Sequence, residues 1–174
     1  MMELISPVLV DLVYVFALLL AILLSGCSQH TVTPGPGFEA GVAAYGRGDY
    51  ETALKALQPL AEAGNPAAQS DLGVMYEKGQ AVPQDYKEAA RWYRKAADQG
   101  YPTAQFNLAR MYGLGHGVPR DYVYAYMWLS LAAADGNKFE VARKTRDALE
   151  KHMTRSQVEK AKRLAKEWKP KKNK

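Results

Sequence analysis

Residues 67–100 read AAQSDLGVMYEKGQAVPQDYKEAARWYRKAADQG, and residues 103–136 read TAQFNLARMYGLGHGVPRDYVYAYMWLSLAAADG. Superposed at an offset of 36, the two stretches agree at 15 of 34 positions. A self-similarity of that period is the signature of stacked structural units, each too small to bury its own apolar face.

The spacing inside each unit predicts its local structure. Ala68, Leu72, Met75 and Tyr76 stand at i, i+4, i+7 and i+8, one stripe of a helix. Asn65-Pro66 supplies an N-cap followed by proline at the first helical position. Gly79 and Pro83 break that helix. Asp85 caps a second one, in which Tyr86, Ala89, Trp92 (or Tyr93) and Ala96 recur at helical spacing, and Gly100 ends it where a left-handed residue is cheap. Alanines at 89, 96 and 97 allow close helix approach, while Tyr76 and Trp92 fill space between units. Two departures stand out: Ala81 where the second unit has Gly117, predicting a tighter or shifted first loop, and Ala109 in place of Gly73.

The shared pattern is Ala-Gln-x-x-Leu-x-x-Met-Tyr-x-x-Gly-x-x-Val-Pro-x-Asp-Tyr-x-x-Ala-x-x-Trp-x-x-x-Ala-Ala-x-x-Gly. It resembles the Sel1-like repeat, a relative of the tetratricopeptide repeat. The resemblance implies an all-α, right-handed α-solenoid of stacked antiparallel helix pairs, with repeats at 66–101 and 102–137. It also implies a non-enzymatic role as a protein–protein interaction scaffold or adaptor. By the same resemblance, the first-helix residues facing the concave side are Ser70, Val74, Glu77, Phe106 and Arg110. Phe106 replaces Ser70, so the two units share no core role there, and an exposed aromatic beside Arg110 suits a binding hot spot.

Working outward, 38–65 reads as a shortened first unit, in which Gly48-Asp49-Tyr50 precedes Ala53, Leu57 and Leu60. Its inter-helix connection, Tyr45 to Asp49, is five residues shorter than Tyr76 to Asp85, as in an ordinary tetratricopeptide unit. Downstream, 139–152 and 156–169 form two further helical segments within a C-terminal cap spanning 138–170, with Thr154 and Gln157 as a capping box. In the second unit's second helix, Tyr124, Tyr126 and Met127 replace Glu88, Ala90 and Arg91. That wider apolar girth predicts cover from 139–152.

The head of the chain differs in kind. Leu12 to Leu24 is an uncharged apolar run of 13 residues. That is short of the ~20 residues that span a bilayer, but within the ~7–15 of an export signal's apolar region. It leads into Leu24-Ser25-Gly26-Cys27, which resembles a bacterial lipoprotein signal. The resemblance implies a signal peptide at 1–26, acylation of Cys27, membrane attachment through that residue, and a tether at 27–37. Ser28 after Cys27 is similar to lipoproteins sent to the outer membrane, on the periplasmic face of the envelope. No Lys or Arg precedes Arg47, a departure from the usual positive start of such signals.

Charge follows the same partition. The chain carries +5 in all: −2 in residues 1–26, −2 in 27–137 and +9 in 138–174. The basic end reads as a solvated capping helix, with 171–174 a disordered tail. Export makes nucleic acid an unexpected partner, leaving an envelope protein or peptide and the membrane.

Catalytic material is sparse. The single cysteine removes any multi-thiolate metal site, and the histidines at 30, 116 and 152 have no neighbouring ligand set, so neither a metal nor a cofactor is expected. Gly113-x-Gly115-x-Gly117 follows a helix rather than a strand and lacks the Lys-Ser/Thr of a phosphate loop. Asp85 and Asp121 read as helix caps, and no catalytic residue is assigned. The competing reading is an envelope-polymer-binding or hydrolytic protein that uses loop residues near His116.

Overall fold

A computed structural model of the chain describes residues 36–134 and 140–171. The proposed signal at 1–26, Cys27, most of the tether, Phe139 and residues 172–174 lie outside the described residues.

The described residues form eight helices and no strand: α1 (Pro36–Gly46), α2 (Tyr50–Glu62), α3 (Pro66–Lys78), α4 (Tyr86–Asp98), α5 (Pro102–Leu114), α6 (Tyr122–Ala133), α7 (Glu140–Glu150) and α8 (Arg155–Glu167). Each of the first five packs against the next, and α6 packs against both α7 and α8. The fold is thus an all-α solenoid of stacked helix pairs.

Local chemistry starts and stops these helices. The Asn65 side chain accepts from the Ala68 N–H at 3.0 Å, Asp85 from Lys87 and Glu88, and Asp121 from Val123 and Tyr124. Each satisfies first-turn donors that have no partner within the helix. Thr154 and Gln157 form the reciprocal capping box of α8. Gly79 and Gly115 end α3 and α5 in the left-handed region, at φ 69° and 75°.

The repeated Gln has a stacking role. Gln69 Nε2 donates to the Ala61 carbonyl at 3.0 Å, and Gln105 Nε2 donates to Ala97, 36 residues on, at 3.3 Å. Each buried amide thereby satisfies a carbonyl in the last turn of the preceding helix, tying one unit to the next. Trp92 joins a buried cluster with Ala53, Leu57, Leu72 and Met75, so it fills the seam between the shortened unit and the first full repeat. Arg94 reaches across the next seam, hydrogen-bonding Tyr112 Oη and lying 5.3 Å from the centre of the Trp128 ring.

Three expectations are corrected here. Ala81 does not shift its loop: it takes φ 58°, the same left-handed backbone that Gly117 takes at 69°. The cover on α6 comes from α8 as well as α7, since Val123 and Tyr126 cluster with Val158 and Ala161, and Tyr126 Oη donates to Glu150 at 2.9 Å. Lys171 is no free tail residue. Its N–H donates to the Asp98 carbonyl at 2.7 Å and its ammonium pairs with the Asp98 carboxylate at 2.7 Å. The segment leading to it sets Trp168 edge-on to Trp128, with ring centres 6.0 Å apart, and brings Trp168 and Pro170 beside Gly100.

Candidate binding groove between α5 and α7

Two successive seams of the stack, one at α3–α5 and one at α5–α7, are finished differently. At the first, Glu77 on α3 accepts from Arg110 Nη2 on α5 at 2.6 Å through both carboxylate oxygens, and from Tyr93 Oη on α4 at 2.9 Å. Burial, then the neighbouring Glu77 carboxylate, push the Tyr93 phenol well above its ordinary range, so the phenol stays a neutral donor. The Tyr93 ring itself needs Gly73, because a Cβ there would stand 2.5 Å from Tyr93 Cε1.

The 36-residue offset maps Glu77, Lys78 and Tyr93 onto Gly113, Leu114 and Leu129. The second unit therefore lacks the carboxylate and the phenol that complete the first. Leu129 is smaller than Tyr93, and Ala109 stands where Gly73 was required. The result is a largely apolar groove of about 420 Å³. Its α5 wall carries Phe106, Arg110 and Leu114, its floor includes Leu129, and Thr145 and Leu149 of α7 close the far side. Leu114 is 55% exposed, a large apolar side chain open to solvent.

Of the five residues expected on the concave side, the structure unites two directly, Glu77 and Arg110, as an inter-repeat ion pair. Arg110 and Phe106 also share the groove wall, and Phe106 packs partly against the main core. Val74 is half-buried against the same core. Ser70 is 2% exposed and out of reach of a partner, because its small side chain lies within the helix packing. Cys27, the proposed lipidation site, lies outside the described residues.

Sequence reasoning missed Leu114, Leu129, Leu149 and the opening created by Gly113. The first two and Gly113 were signalled by the polar-to-apolar replacements at the 36-residue offset. Leu149 had no such signal, since it depends on where α7 packs.

The loop around His116 is built for packing. The His116 ring lies 4.7 Å from that of Tyr86, and its Nδ1 is buried without a hydrogen-bond partner to orient it. Among the described residues, no three His, Cys, Asp or Glu side chains gather where a metal could bind. Burial also acts on Asp71 in α3, raising its carboxyl from 3.8 to about 6.

Paired helices, inter-repeat glutamines and a seam left open define a helical-repeat protein. The sequence profile of the Sel1 repeat matches residues 66–101 and 102–137. The fold is similar to a Sel1 repeat protein from Oxalobacter formigenes, with 39% identity and a TM-score of 0.57, covering 64% of this chain and 86% of that one. It is also similar to a protective antigen of uropathogenic Escherichia coli strains displaying an SLR fold, with 31% identity, a TM-score of 0.72 and 76% of this chain covered. The chain spans 29% of that antigen's length. Among curated proteins, none matches the sequence. The chain belongs to the Sel1-repeat family, whose members are generally protein–protein interaction scaffolds.

Proposed function

We propose that this protein is a non-enzymatic, lipid-anchored adaptor that receives a protein partner in the groove between α5 and α7. The observation that carries this reading is the contrast between the two seams: one is closed by Glu77, Tyr93 and Arg110, the other is open, apolar and edged by Leu114. An apolar trough with one charged wall residue matches the makeup of a binding hot spot, where a buried anchor does most of the work and a polar edge sets orientation. The anchor would be Cys27, acylated on the periplasmic face of a bacterial envelope and held at the outer membrane. Each buried acyl CH₂ contributes ~0.8 kcal/mol, and stable attachment takes at least two chains.

Two experiments test the parts separately. A photo-crosslinking residue at position 114 is expected to capture a discrete partner in cells, while one at the exposed Lys87 position on α4 does not. Equal capture from both positions would remove the groove from the reading. Cys27→Ser is expected to leave the protein soluble or still joined to its signal, and unchanged detergent partitioning would contradict the anchor.

A further inference from the structure

We infer that the groove's occupant is an acidic peptide segment bearing one large apolar or aromatic side chain. This rests on the groove being the docking site and adds the chemistry of what docks. The first seam shows what the second lacks: a carboxylate at the Glu77 position and an aromatic ring at the Tyr93 position, replaced by Gly113 and Leu129. A partner supplying an apolar side chain with an acidic neighbour would provide both from outside.

Charge points the same way. Both hydrogen bonds from Arg110 to Glu77 leave from Nη2, and the side chain keeps 38% exposure while lining the groove, so Nη1 and Nε remain for an incoming carboxylate. The carboxylates of α7 are already engaged: Glu140 with Arg143, Asp147 with Arg146, and Glu150 with Tyr126 Oη. Lys144 also pairs with Glu140, at 3.8 Å, so the charges of α7 itself are balanced. Among the described residues, Arg110 is the one charged side chain lining the groove, and its open Nη1 and Nε favour acidic segments over basic ones. A second copy of the chain, at +5, is the poorer match.

The test uses the full chain in detergent micelles, panned against a displayed library of short random peptides, with wild type and Gly113→Trp in parallel. Apart from its chain neighbours and its own helix backbone, no atom stands within 4 Å of a Cβ at 113, so a side chain there enters the groove without meeting a neighbouring helix at its root. The expected result is enrichment of acidic peptides containing Trp, Phe or Leu. Their affinity should fall at least about tenfold with Gly113→Trp, and again when Lys replaces Glu in the synthetic peptide. Arg110→Gln should weaken acidic peptides while sparing neutral ones. Enrichment of neutral or basic apolar peptides, lost with Gly113→Trp, would overturn the acidic assignment and leave the groove standing. Peptides retained by Gly113→Trp would overturn both. Binding to phosphatidylglycerol vesicles that Gly113→Trp abolishes, with no peptide enriched, would replace the peptide by a lipid surface. Self-association abolished by the same variant would replace it by a second copy.

Discussion

Gly117 lies directly against the backbone carbonyl of Tyr86, leaving no room for a side chain at 117. The second unit's loop is thus seated on the start of the first unit's second helix, and the left-handed φ of 69° adds a second reason for glycine. Gly117→Ala is expected to cost at least about 2 kcal/mol, from the disfavoured backbone region together with overpacking. Ala81 holds the same conformation at an exposed position, so Ala81→Gly should instead stabilise by about 0.5–1 kcal/mol. Urea unfolding of both variants checks the opposite signs.

Gly73 and Tyr93 form a matched pair whose counterparts are Ala109 and Leu129. A methyl group at 73 would press on the Tyr93 ring, so Gly73→Ala should destabilise by about 1–3 kcal/mol. Tyr93→Leu in the same chain reproduces the second unit's combination. A double-mutant cycle is expected to show favourable coupling of at least about 1 kcal/mol. Additive effects would mean that Gly73 and Tyr93 do not constrain each other.

Burial raises the Asp71 carboxyl to about 6 from 3.8. Between those values the folded chain holds a proton that the unfolded chain has released, so this group's contribution to stability declines as pH rises from about 4 to 6. Asp71→Asn should then be the more stable protein at pH 7, by up to ~2 kcal/mol, with the gap closing towards pH 4. Denaturation midpoints at the two pH values test it, and a gap independent of pH would contradict it.

The C-terminal strap gives an asymmetric expectation. Lys171 is 74% exposed, and such an ion pair is worth ~0–1 kcal/mol, so Lys171→Ala should be nearly silent. Trp168 packs against the main core and the Trp128 ring, and Trp168→Ala should cost about 2–3 kcal/mol. It should also speed amide hydrogen exchange around Gly100. A larger cost for Lys171→Ala than for Trp168→Ala would show that the charge pair, not the ring, holds the strap.

Much of the fold was legible because repetition makes each local signal count twice. Asn65, Asp85, Asp121 and the Thr154–Gln157 box announce helix starts by chemistry contained within a few residues, and the 36-residue offset marks the stacking. Features that depend on how units meet were harder to read. Ser70 looks like a surface residue by type and is buried by packing, and Lys171 looks like a free tail until Asp98 is found beside it, 73 positions earlier. The groove sits between these cases. Its apolar replacements at 113, 114 and 129 were visible in the aligned units, but the missing Glu77–Tyr93–Arg110 closure has meaning only once those three side chains are known to meet.

The most direct measurement is photo-crosslinking in cells from position 114, compared between the otherwise native chain and one carrying Gly113→Trp. If the groove between α5 and α7 receives the partner, the adduct seen in the first disappears in the second while the thermal midpoint stays native-like. An undiminished adduct from a chain whose groove is filled would contradict the assignment.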